Sequence, residues 1–169
     1  MAIRKDVSSL TNAKLNQLRA LLDQYISKPS DNPVAEHQAA GMDDSLMIHD
    51  DGFIAWHQHF IAKAENWLVL NGGVQFVPLP YWNPAKPIPS ALSKNNANVN
   101  MALPLNLRPK ALKKITSYTV LNDRMVPYHN AVHNAAGGQM PNADTSPSDP
   151  MFWPFHSFLV AVYEKWRNL

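Results

Sequence analysis

The stretch PYHNAVHNAAGGQM, residues 127–140, holds two histidines four residues apart, His129 and His133. At that spacing they share one face of a helix, so both rings can reach a common ligand. The chain has seven histidines: His37, His49, His57, His59, His129, His133 and His156. They fall into two sets, one on each side of a proline-rich stretch, and each set can supply three imidazoles. Any one histidine alone is ordinarily a hydrogen-bonded core or surface residue. Six imidazoles without a cysteine suit copper, zinc, iron or nickel. Zinc with three histidines is a real competitor, whereas non-haem iron usually takes a carboxylate as well. Two facing three-histidine sites favour copper, because neutral nitrogen ligands stabilise Cu(I) and copper tops the divalent affinity order.

The elements that must position these rings are mainly helical. The segment DVSSLTNAKLNQLRALLDQYIS is predicted as an amphipathic helix, with Leu15, Leu18, Leu22, Tyr25 and Ile26 at three- to four-residue steps. Ser9 or Thr11 would cap it, and KPSDNP would break it. A second helix is predicted from Phe53 to Leu70, stopped by NGG. Seven of the fourteen prolines lie between Val77 and Pro109, an irregular stretch of a length often tied to function. KALKKITSY is predicted as a short helix. The next helix is expected to start near His129, and the last to cover FHSFLVAVYEKW with Asp149 as cap and Pro150 as first residue. Pro154 would then require a kinked or 3₁₀ first turn. No strand is predicted. The expected fold is mainly α, a small helical bundle with long Pro-rich loops, in a single domain over residues 1–169. The first metal half would cover about 1–70, the loop 77–109 and the second half about 110–169.

Composition narrows the function. The 169 residues are 46% hydrophobic with a net charge of +2 and no block of like charges, which argues against nucleic-acid binding. No run approaches the roughly 20 apolar residues of a membrane span. With no cysteine, disulfides, iron–sulfur clusters and thiolate zinc sites are excluded. The start, MAIRKDVSSL, lacks the apolar core of a signal peptide, so a cytoplasmic location is expected ahead of a secreted one.

Residues HNAVHNAAGGQM followed by SPSDPMFWPFH resemble the second copper site of the tyrosinase family of type-3 dicopper proteins. That family includes tyrosinases, catechol oxidases and molluscan haemocyanin units. Its pattern is an HNxxH helix, a GG-x-M turn and a DP-x-F stretch leading to a third histidine. The resemblance implies His129, His133 and His156 as ligands of the second copper. FIAWHQHFIAKAE resembles the family's first-site helix, which implies His57 as the third ligand and His49 as the second, with His37, the remaining upstream histidine, as the first. LPYWNP and IRKDVSSLT are also similar to family segments. His59, two residues after His57, points about 200° away around the helix and is expected to pack or face solvent. Around the site the sequence departs from the family: Phe155, Val160 and Gln58 stand where a histidine, an aspartate and an arginine are common.

The resemblance implies a tyrosinase-like fold around two copper ions, with O₂ as co-substrate and a small phenol as the partner molecule. The expected activity is oxidation of o-diphenols to o-quinones, with ortho-hydroxylation of monophenols as a further step. A catechol oxidase without that step, or a haemocyanin-like O₂ carrier, is the alternative. Glu65 and Asp149 are expected behind the ligands, holding imidazole N–H groups or helix ends. Asn134, Met140 and Ala143 are expected in the substrate pocket. Asn130 is expected to position a water that takes the phenol proton, and Asp123 is the acid nearest the place of the family's glutamate. A homo-oligomer is compatible with the sequence.

Overall fold

The computed structural model describes residues 3–169. A 3₁₀ turn at Val7–Ser9 precedes helix α1, Asn12–Ile26, whose N-cap Thr11 accepts from Lys14 N. Asp6 accounts for the earlier turn, because its side chain accepts from Ser8 N and separates DVSS from the helix proper. Leu15, Leu18, Leu22 and Tyr25 are all buried on α1, as the periodicity requires.

Helix α2, Pro33–Met42, was not expected from the sequence. The SDNP punctuation that ends one helix also starts the next. Asn32 accepts from Val34 N and Ala35 N, and Pro33 occupies the first helical position, where its missing N–H costs nothing. Irregular turns at 43–52 lead into helix α3, Phe53–Leu70. Its end is sealed by Gly73 N donating to Leu68 O across Gly72 at φ +79.

The stretch from Val77 onwards is irregular yet packed, with Leu79, Trp82, Ile88, Leu92, Val99 and Leu107 all buried. The predicted helix at KALKKITSY shrinks to one turn, α4, Pro109–Leu112. Helix α5, Tyr118–Ala136, starts eleven residues before His129, with Pro127 inside it. Proline removes one intrahelical bond, to the carbonyl of Asp123, and Asp123 is exposed to water that can satisfy it. Helix α6, Phe152–Arg167, closes the fold. It starts at Phe152 rather than at Pro150, so Pro154 falls within the first turn, where N–H groups have no intrahelical partner and no kink is needed.

Every residue from Met151 to Val160 is buried. A helix apolar all round belongs in the interior, and α6 packs chiefly on α3 in the centre of one continuous hydrophobic cluster. Among the described residues the fold is mainly α, with two isolated β-bridges and no strand. No helix among them is long and apolar enough to cross a membrane.

Candidate metal centre

Five segments meet around the α3–α6 contact. His37 comes from α2, His49 from the 43–52 turns, His57 from α3, His129 and His133 from α5, and His156 from α6. His37, His49 and His57 can each place one ring nitrogen within 4.8 Å of the others. His57, His129 and His156 do the same. His57 thus belongs to both trios, and its ring stacks on His156 with centroids 4.7 Å apart. The resemblance implies His133 in the second trio instead of His57. Its ring lies 4.2 Å from His129 and 5.2 Å from His156, beside that trio rather than within the tightest grouping. His59 is exposed and stands apart.

The backbone fixes which nitrogen faces inward. A carbonyl oxygen only accepts, so Nδ1–H must donate from His57 to Phe53 O at 2.9 Å, from His133 to Met140 O at 2.7 Å, and from His156 to Phe152 O at 2.8 Å. In a neutral ring this leaves Nε2 as a bare lone pair. Nε2 of His57 and of His133 are buried without a hydrogen-bond partner, as is Nδ1 of His37. His129 Nδ1 lies 2.9 Å from Asn130 Oδ1, and its Nε2 is 3.2 Å from Nε2 of His156. Two lone pairs at that distance repel unless a proton or a cation joins them. Buried polar atoms left so are rare, and here those of His37, His57 and His133 stand beside the His129–His156 pair in one cluster.

Protonation does not resolve the site. Burial, reinforced by neighbouring His49 and His133, holds His37 down at about 3. Burial lowers His133 to about 4 against the opposing Met140 carbonyl. Burial first, then the adjacent histidines, push His57, His129 and His156 well below the ordinary imidazole range. Half-buried His49 is lowered by burial too. Near neutral pH the site is therefore six uncharged nitrogen donors, a set that fits a soft or borderline transition metal.

These depressed values predict a pH dependence for the metal-free protein. The unfolded chain takes up protons near pH 6.5, but in the folded chain His37 does so only near 3 and His133 near 4. Stability is therefore full above about pH 6.5 and is lost as the pH falls below it. At pH 5, His37 and His133 should each cost about 2 kcal/mol. Denaturant unfolding of metal-free protein at pH 7 and pH 5 measures this, and equal stabilities would contradict the buried neutral rings.

The residues around the rings divide differently from the sequence expectation. Glu65 accepts from Leu79 N at 2.8 Å and pairs with Arg4, so no imidazole donates to it. Asp149 is buried and also touches no imidazole. Its Oδ1 accepts from Met151 N, and its Oδ2 accepts from Gln139 N at 3.0 Å and Asn96 Nδ2 at 2.9 Å. It braces the 137–140 turn, whose Met140 carbonyl holds His133, and is not the cap of α6. Asp123 lies exposed and lines no part of the site. A cavity of about 230 Å³ opens beside the rings, lined by His37, His49, His129 and His133 with Asn130, Asn134, Met140 and Ala143.

Residues 89–169 match the family described as the common central domain of tyrosinase. The match spans 81 of the 169 residues and supports a likeness to the tyrosinase family. The match takes in α5 and α6 with His129, His133 and His156. Hemocyanin 2 of Megathura crenulata is similar to nearly the whole chain, with 22% identity over 214 aligned residues covering 99% of it. The chain spans about 6% of that relative's length. These likenesses and the two histidine trios support a type-3 copper protein in the general sense, with a site suited to metal.

Proposed function

We propose that the protein holds two copper ions, one on His37, His49 and His57 and one on His129, His133 and His156, and oxidises o-diphenols to o-quinones with O₂. The observation that carries this is the convergence of six neutral imidazoles, with unpartnered inward nitrogens on His37, His57 and His133, four of the rings (His37, His49, His129 and His133) lining an open cavity. When bound, a copper pair supplies two-electron chemistry with O₂. The chain does the rest. The carbonyls of Phe53, Met140 and Phe152 hold three rings by Nδ1 so that Nε2 faces the metal. Asn130 Oδ1 does the same for His129. Met140, Pro141 and Ala143 give the cavity an apolar side against which an aromatic ring can lie.

A monophenol makes an added demand. Its hydroxyl, with a pKa near ~10, must lose a proton before it binds metal well. No carboxylate lines the cavity, and Asp123 is on the outside of α5. Only a water near Asn130 is left to take that proton. Copper-loaded protein should therefore oxidise catechols readily and hydroxylate monophenols weakly, with a lag. Oxygen consumption and quinone absorbance with one substrate of each kind measure this. The second reading, O₂ carriage, is favoured by the likeness to a protein named hemocyanin. Reversible O₂ uptake with no catechol turnover would establish it and sink the oxidase reading.

A further inference from the structure

Helix α3 has no cap of its own. Its N-cap is Gly52, which has no side chain to accept a bond. The orphan N–H groups of its first turn are nevertheless all satisfied. Phe53 N donates to Asp50 O and Trp56 N to Gly52 O. The two between them are capped from another helix: Ile54 N donates to Asn122 Oδ1 at 3.2 Å, and Ala55 N donates to Tyr118 Oη at 3.0 Å. Both acceptors stand one turn apart on α5.

Asn122 also donates through Nδ2 to Asp50 O at 2.7 Å. Asp50 directly follows His49. A single amide, 1% exposed, thus grips the loop that carries His49 and the start of the helix that carries His57. It stands seven residues, two turns, before His129 on the same stripe of α5. From this geometry we infer that Asn122, assisted by Tyr118, is a positioning residue that registers His49 and His57 against the His129–His133 helix. The inference rests on the two-copper reading of the site. Buried amides of this kind leave costly unpaired donors and acceptors when removed. The cost falls on the first trio, because Asn122 bonds nothing that holds His133 or His156.

Copper titration of the metal-free protein against a competing chelator tests this, with histidine NMR identifying the trio that fills. The wild type should take two ions tightly. Asn122→Leu should keep the ion on His129, His133 and His156 and bind the other about 10–100-fold more weakly, the range typical of lost partners behind metal ligands. Tyr118→Phe, which removes one cap only and spares the buried amide, should weaken the same trio by less. Leu112→Ala removes a buried side chain on α4 and should lower the melting temperature while both ions stay tight. The inference is overturned if Asn122→Leu binds both ions as tightly as wild type, or if it weakens both trios equally. A wild type that takes up fewer than two ions overturns the two-copper reading instead.

Discussion

Replacing His133 with Ala should leave one copper per chain instead of two and lower catechol oxidation by more than about 100-fold, beyond the usual loss for partners behind a ligand. His133 is buried and its Nε2 has no other occupation. No spare imidazole stands near enough to replace it, since His59 is exposed and the other five rings have their own places in the two trios. The lost ring also frees the Met140 carbonyl that forms part of the cavity wall. His59→Ala is the control and should keep both ions and full turnover. Metal analysis alongside oxygen consumption gives the answer. A His133→Ala protein that keeps two coppers would show that the second site lies on His57, His129 and His156, as their tighter grouping allows.

Gly138→Ala should be strongly destabilising although the residue is not a ligand. Gly138 has φ +63, and a Cβ there would come within 2.6 Å of both Asn96 Nδ2 and Asp149 Oδ2 and 2.9 Å of Lys94 O. The positive φ alone costs about 1–2 kcal/mol. The clash adds more, because Asp149 cannot retreat without releasing bonds to Gln139 N, Met151 N and Asn96. A total above about 3 kcal/mol is expected, or roughly 10 °C in melting temperature for a chain of this size. Gly72→Ala is the matched comparison: its φ is +79, but nothing lies within 4 Å of the new Cβ. Thermal melts of the pair separate backbone strain from collision. If both melt together, the Asn96–Asp149 clasp is softer than its bonds imply.

Much of this was legible in the residues, and the misses have physical causes. Helix α3 runs from Phe53 to Leu70 as its pattern and its NGG stop require. Helix α2 was hidden because SDNP reads first as a breaker, although Asn32 and Pro33 are also a strong start signal. Helix α5 begins eleven residues before the expected start near His129, with Pro127 inside it, because the one bond the proline removes lies on the wet side of the helix. The six inward histidines were visible as types and spacings. Their braces were less so. Asn122 carries a faint signal, two turns from His129 on one face. Asn96 carries none, because its contact with Asp149 spans 53 residues and arises only when the Pro-rich stretch folds against the 137–140 turn.

The six rings are drawn from segments as far apart as His37 and His156, and α3 owes its first turn to α5. Before the chain has closed those distant contacts, an ion meets single imidazoles or at most the His129–His133 pair. Contacts of such long sequence separation form late, since loop closure must precede the gain. On the proposed two-copper reading, loading would follow the closing of these contacts. Uptake of both ions would then report that the chain has reached its correct tertiary structure.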